Sequence, residues 1–385
     1  MVSHLNLHDR AQFSLADLVA SQKCGRLVVK IGSALLVEDG LPRRSWLETL
    51  ASDIATLREA GTDVIIVSAG AIALGAARLG LAGGGRASLA EAQGAASVGQ
   101  VALAQLWAGV FEARGLIAAQ MLVTLGDLED RRRYLNASAT LEMLLERGAV
   151  PVVNENDSVA TEEIRFGDND RLAARVAQAA GAQGVLLLSD VDGLYDRPPS
   201  EEGARLIERV EGVTPEVIAM ADSGSGSGLG SGGMLAKLQA ARIAERAGIT
   251  LGIIDGRCDA PLSRLRETGH GTIFLPVRTE SARKAWLGGR LAAEGVLSVD
   301  EGCVAALGEG ASLLAAGIVE VEGEFQRGAL VSLHGPNGER LGQGLVEYSA
   351  EECRAIAGLR ACEQEARLGY APRGAVVHRD HMVRA

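Results

Sequence analysis

The sequence predicts an α/β protein: a three-layer sandwich with a mainly parallel central sheet, followed by a small, separate β-rich domain. Three observations predict it. Apolar runs without polar alternation (LVVKI, DVIIV, LIAAQMLV, VPVV, VLLLS and TLGII) recur between amphipathic stretches, the pattern of strands covered on both faces. Hydrophobic residues make up 47% of the chain but aromatic ones only 3%, so Ala, Gly, Leu and Val must do the packing, as closely layered helices on a sheet would have it. After Pro276 the long strand and helix alternation lapses into short strands with turn signals.

In chain order, residues 1–24 read as an N-terminal extension with a short helix capped by Ser14. Residues 25–276 form the large domain, where the first strand leads into a helix over Arg43–Ala60 that stops at Gly61. Further helices are predicted over 88–113, 127–147, 170–180 and 234–247, with Asp168 or Asn169 capping the third of these. A linker follows at 277–294. The small domain, 295–372, starts with a helix over Asp300–Leu307 and continues with strands GIVEVEG, ALVSLHG and GQGLVEY and the turn Gly335-Pro-Asn-Gly. Residues 373–385 form a tail whose VVHRDHMVRA suits a closing strand.

A length of 385 residues suits two domains with sizeable cores. The net charge of −11 argues against a broad nucleic-acid footprint and against adhesion to an acidic membrane. By eye no apolar run approaches the roughly 18 residues of a membrane span. The N-terminus has neither the basic start nor the apolar centre of a signal peptide, so the cytoplasm is the expected compartment. Five cysteines without a C-x-x-C pair offer neither a disulfide framework nor a zinc site, and no metal-ligating set is expected from the protein itself. Histidines stand at 4, 8, 270, 334, 378 and 381, which excludes Ser-His-Asp or Cys-His chemistry between residues 9 and 269.

Chemistry is concentrated elsewhere. Between Gly224 and Gly233 six glycines precede the helical Met234-Leu-Ala-Lys-Leu. Glycines let backbone N–H groups approach an anion, the helix start adds its own unpaired N–H groups, and Lys237 in the first turn can reach the same anion. The spacing is not that of a Walker loop. Only four of the 38 basic residues are lysines, at 23, 30, 237 and 284, and two of them, Lys30 and Lys237, lie in glycine-flanked stretches. A compact ammonium suits a point contact to a moving phosphoryl group. Polar sequences fall where the strands end: VVKIGS, VSAGA, NENDSVATEEIRFGDNDR and SDVDGLYD, the ligand-gathering edge of a parallel sheet.

Taken together VVKIGSALL, VSAGAIALG, VNENDSVAT, FGDNDRLAA and GLGSGGMLAKLQAA, in this order and ahead of a small β-rich domain similar to a PUA domain, resemble the amino-acid kinase family and, within it, the glutamate 5-kinases. The resemblance covers about residues 25–380. It implies the amino-acid kinase fold, and ATP- and Mg²⁺-dependent phosphorylation of the γ-carboxylate of L-glutamate, opening proline synthesis. It also implies substrate positions at Ser68, Asp157 and Asn169, and nucleotide positions at Lys30, Ser189, Asp190 and the run Ser231, Gly232, Gly233, Met234, Leu235, Ala236 and Lys237. Proline as a feedback inhibitor and a homo-oligomer, dimer or tetramer, belong to the same expectation, with Gly126–Asn136 as a candidate for such contacts. Two positions depart from the family: Ser189 and Ala236 stand where threonine is usual. The first keeps a hydroxyl and the second loses one.

On physical grounds Lys30 and Lys237 would flank the transferring group as catalytic cations, with Asp170, or Asp168 instead, holding them in place. Another kinase of the same fold, acting on aspartate, acetylglutamate or UMP, is the nearest competing expectation. RNA binding by the small domain is a more distant one, because residues 295–372 carry five arginines and no lysine against twelve acidic residues.

Overall fold

A computed structural model describes residues 13–20, 23–159, 168–222, 233–277 and 293–384. The chain divides into two compact units, one of Met1–Leu128 with Ala137–Arg278, the other of Glu129–Asn136 with Thr279–Ala385.

The large unit is built on an eight-stranded sheet. Its strands are β1 (Arg26–Ile31), β2 (Asp63–Ser68), β3 (Ala118–Val123), β4 (Val150–Glu155), β5 (Gly184–Ser189), β6 (Arg209–Glu211), β7 (Thr250–Asp255) and β8 (Thr272–Leu275). Their order is β6-β8-β7-β5-β1-β2-β4-β3. Every pairing is parallel except β7 with β8. β1 lies in the middle with β2 on one side and β5 on the other, so the strand order reverses direction around it. Such a reversal splays the flanking connections apart and opens a crevice at the strand ends.

The longer helices among the described residues are α1 (Arg44–Glu59), α2 (Ala71–Leu79), α3 (Leu89–Glu112), α4 (Arg131–Glu146), α5 (Asp168–Ala179), α6 (Pro215–Asp222), α7 (Met234–Arg246) and α8 (Pro261–Thr268), with single turns at Ser33–Leu36 and Leu125–Glu129. α2 was not foreseen, because its AIALGAARL carries no polar face to show a helical period. The helix predicted over 127–147 is interrupted at Asp130, whose carboxylate accepts from Arg133 N–H at 2.9 Å. α5 begins at Asp168, so Asp168 and Asn169 lie within its first turn and do not cap it.

α2 and α3 meet backbone to backbone. A Cβ on Gly75 would fall 1.7 Å from the Ala95 carbonyl oxygen, and one on Gly99 1.7 Å from that of Ala71. Among the described residues α3 is, by length and composition, a helix that could cross a membrane, contrary to the reading of the apolar runs. Its Ala and Gly content hides the run from the eye, and its Leu103, Trp107 and Phe111 face is buried in the core.

Residues 15–19, read as part of an extension, form a 3₁₀ turn inside this core. Leu18 is fully buried, and Gly184, Gly252 and Gly271 make room for it and for Leu15: a Cβ at Gly184 would sit 2.6 Å from Leu18 Cδ2, and one at Gly252 2.5 Å from Leu15 Cδ1.

The small unit has a five-stranded sheet of β9 (Gly295–Val299), β10 (Ile318–Gly323), β11 (Leu330–His334), β12 (Arg340–Val346) and β13 (Val377–Arg384), in the order β10-β9-β11-β12-β13. The stretch read as a tail thus supplies a strand paired antiparallel to β12. Among the described residues, the helices α9 (Glu301–Gly308), α10 (Ala350–Ile356) and α11 (Ala361–Leu368) accompany it. The last two were missed, although Ser349 and Glu352 form a capping box at the first. Glu129–Asn136 belongs to this unit: Asn136 Oδ1 accepts from Arg327 at 2.5 Å, and Arg131 pairs with Glu294 at 3.4 Å. The segment singled out for regulatory contacts is therefore engaged within the chain.

Removing the buried Leu18 side chain leaves a cavity against the face of β5 and β7, over Gly184 and Gly252. Leu18→Ala is expected to destabilise the large unit by about 2–5 kcal/mol, read as a lower denaturation midpoint at unchanged slope; a midpoint equal to wild type would show the 13–19 turn to be dispensable.

Candidate active site

The carboxyl ends of β1, β2, β4, β5 and β7 bring the predicted residues together. Lys30 lies one residue before the end of β1, Ser68 ends β2 in register with Ile31, and Ser189 ends β5 opposite Asp255 of β7. Asp170 comes from the first turn of α5, and Lys237 from the first turn of α7, whose N-cap is Gly233. Among the described residues no side chain caps this end of α7, and the Ala236 N–H is taken by the Gly233 carbonyl at 2.9 Å, so an anion would meet the N–H groups of Met234 and Leu235. Of the glycine-rich run, Ser231 and Gly232 lie outside the described residues.

Asp170 holds both lysines. Its Oδ1 is 2.5 Å from Lys30 Nζ and its Oδ2 is 3.2 Å from Lys237 Nζ. All three are buried, at 7% exposure for each lysine and 0% for the aspartate. Burial drives the Lys30 ammonium below the ordinary lysine value and Lys237 pushes the same way, while Asp170 pulls against them. For Asp170 burial works upwards, yet the two lysines hold its carboxyl below the usual carboxylate value. Two ammoniums on one carboxylate leave a surplus positive charge out of water, a strong demand for an anion. Of the two acids open at the sequence level, Asp170 thus makes the pairing. The Asp168 side chain lies outside the described residues.

Asp190, exposed beside Lys30, is one of the charges acting on it, and Ser189 Oγ donates to Asp190 Oδ1 at 3.1 Å. Met234, Leu235 and Ala236 form the first turn of α7, where Leu235 is 43% exposed and no hydroxyl stands at 236.

On the other side of β1 lies an amide network. Asn169 Nδ2 donates to the Ser68 carbonyl at 3.1 Å and to Asn154 Oδ1 at 3.3 Å. Asn154 Nδ2 donates to Gln100 Oε1 at 2.8 Å. The Trp107 indole N–H donates to Ser68 Oγ at 3.0 Å. Asp157 borders a cavity of about 300 Å³ shared with Gln100, Gln120 and Ser158. Its charge also acts on Arg86, whose guanidinium burial holds below the usual arginine value while Asp157 works the other way.

Gln100, Trp107 and Arg86 were missed by sequence reasoning. The stretch AASVGQVALAQLWAG holds two glutamines, Gln100 and Gln105, and nothing in it sets the first apart. Among the described residues no group of three or more His, Cys, Asp or Glu is placed to hold a metal ion.

The sequence profile of the amino acid kinase family matches residues 25–255 and that of the PUA domain residues 295–368. The chain is 62% identical to "Glutamate 5-kinase" of Novosphingobium aromaticivorans over 96% of its length and 98% of that relative. It is also 62% identical to "Glutamate 5-kinase" of Sphingopyxis alaskensis over 95% of its length and 99% of that protein. The corresponding protein of Zymomonas mobilis is 53% identical over 94% of this chain and 92% of its own.

With four lysines in the whole chain, labelled lysine ε-carbons can be followed one by one by NMR. Lys30 is expected to lose its proton below the ordinary value of 10.5, and lower still in Asp170→Asn, where the carboxylate that favours the charged form is gone. Titration at or above 10.5, or an upward move in the variant, would contradict the electrostatics of the cluster.

Proposed function

The chain belongs to the amino acid kinase family and, within it, to the glutamate 5-kinases, and on that premise we propose that it transfers the γ-phosphoryl group of ATP to the γ-carboxylate of L-glutamate. The products are γ-glutamyl phosphate and ADP, the opening step of proline synthesis. The Lys30–Asp170–Lys237 cluster carries this reading: a buried, net positive group at the strand ends beside the start of α7.

In the transfer, a γ-carboxylate oxygen forms the new bond to the γ-phosphorus as the bond from that phosphorus to the β,γ-bridging oxygen breaks. The carboxylate is ionised at neutral pH, so no proton has to be removed. Lys30 and Lys237 stand on either side of the group in flight and neutralise charge on its oxygens. Asp170 fixes their positions. The N–H groups at the start of α7 receive phosphate oxygens, and Ser189 and Asp190 bound the nucleotide. Mg²⁺ would come as a companion of the nucleotide, with the exposed Asp190 as the carboxylate that would help hold it, since the described residues offer no cage of their own. When bound it supplies further charge neutralisation.

On the acceptor side, Asp157 and Asn169 take the α-ammonium, Arg86 the α-carboxylate, and Ser68 contributes its hydroxyl by turning it from the Ala69 carbonyl, to which it donates at 3.2 Å. A free ammonium is what an acetylated acceptor lacks, which is why glutamate suits this site better than acetylglutamate. A cytoplasmic place of action, assembly as a dimer or tetramer, and inhibition by proline go with the same family. The acidic small domain argues against an RNA partner.

Two measurements test the proposal. With Mg-ATP and hydroxylamine, which traps an acyl phosphate as the hydroxamate, product is expected with L-glutamate and not with L-aspartate, N-acetylglutamate or no acceptor; product with another carboxylate alone would overturn the choice of acceptor. Lys237→Ala is expected to lower kcat roughly 100- to 1000-fold, about 3–4 kcal/mol, as for loss of one preorganised stabiliser. An unchanged kcat would remove Lys237 from the mechanism.

A further inference from the structure

We propose that Gln100 of α3 is a positioning residue that fixes which atom of Asn169 faces the acceptor, and thereby makes the site select a free α-ammonium; this rests on the glutamate kinase reading above.

A carboxamide presents one acceptor oxygen and two N–H donors, so its orientation decides what it recognises. The Ser68 carbonyl can only accept, and it draws Asn169 Nδ2 towards itself at 3.1 Å. The second hydrogen of the same nitrogen goes to Asn154 Oδ1 at 3.3 Å. Both Asn169 donors are thereby spent, and the atom left for a ligand is its Oδ1, an acceptor. An acceptor there suits an ammonium and repels a carboxylate.

The Ser68 carbonyl and Asn154 together set that arrangement, and Asn154 contributes only while it keeps its oxygen towards Asn169. Gln100 holds it so. Its Oε1 accepts from Asn154 Nδ2 at 2.8 Å, the last bond of a network in which Asn169 donates to both Ser68 and Asn154, and Asn154 donates onward to Gln100. Asn154 is 2% exposed, which leaves little room for water to replace the lost partner. The place of Gln100 is itself set by packing, because the adjacent Gly99 lies against the Ala71 carbonyl of α2, and α2 begins three residues after Ser68. Trp107, two turns further along α3, ties the same helix to Ser68 Oγ. One helix thus anchors both ends of the acceptor site, the hydroxyl at Ser68 and the amide at Asn169.

The test compares wild type with Gln100→Leu, which removes the acceptor, and Gln100→Glu, which keeps it. ADP release is followed with L-glutamate and with glutarate, which has both carboxylates but no ammonium. Q100L is expected to raise KM for L-glutamate roughly tenfold, the scale of one buried hydrogen bond, with kcat and KM for ATP within about twofold. Its preference for L-glutamate over glutarate is expected to fall by a similar factor, and Q100E to stay close to wild type. An unchanged glutamate-to-glutarate preference in Q100L, or a Q100E as impaired as Q100L, would overturn the proposal. Should Q100L fail to fold, Gln100→Met fills the same space without the acceptor and serves in its place. Failure of the wild type itself to turn over L-glutamate would overturn the parent reading first, before any variant is compared.

Discussion

Asp170 is the residue on which the arrangement of the large unit turns. Lys30 and Lys237 come from elements far apart in the chain, and two ammoniums buried side by side would repel each other strongly. A single carboxylate between them makes the pair tolerable, with one lysine on each oxygen. For that, β1, α5 and α7 must converge within a few ångströms, and the reversal of strand order around β1 is what brings them there. The long apolar strands are then more than a core. They hold the sheet rigid enough to keep three charged groups together in a place from which water is nearly absent.

The acceptor side depends on a different constraint, contact between backbones. Gly75 and Gly99 let α2 and α3 approach until no side chain fits between them. Helices packed at that distance cannot slide without collision, so α3 delivers Trp107 and Gln100 at fixed heights along the site. The two halves are thus stabilised by opposite means. In the proposed reaction, charges would set the phosphoryl side, while glycine packing and neutral amides would set the side that reads the acceptor. A carboxylate acceptor needs this separation, since further lysines around its amino end would draw it the wrong way round.

Much of the large unit was legible, because strands covered on both faces betray themselves as uninterrupted apolar runs. Helix α2 was not, since a short helix rich in Ala and Gly with Arg78 as its one charged residue shows no period. The turn at 15–19 was visible as a capped helix at Ser14, but its burial was not, because the glycines that admit Leu15 and Leu18 lie on β5, on β7 and just before β8. Lys30 and Lys237 could be read from the scarcity of lysine, whereas the choice of Asp170 over Asp168 needed the direction in which the first turn of α5 points. Gln100 and Trp107 act across separations of 54 and 39 residues, and nothing local marks them as partners of Asn154 and Ser68. Tertiary hydrogen bonds of this kind leave no trace in period or spacing.

The electrostatics also account for a chemistry without histidine. An acceptor already ionised needs no base, so the obstacle to transfer is the meeting of two anions, a carboxylate and a polyphosphate. The chain as a whole makes that worse, with its net charge of −11. At physiological ionic strength, however, charges at the surface are screened beyond about 8 Å, while a buried cluster is screened far less. The surplus positive charge beside Asp170 therefore acts almost undiminished over the distances of the reaction, and the acidic exterior counts for little there. In the proposed reaction the surplus charge of Lys30 and Lys237 beside Asp170 is the one that meets the phosphoryl oxygens, and its burial is what keeps it effective there.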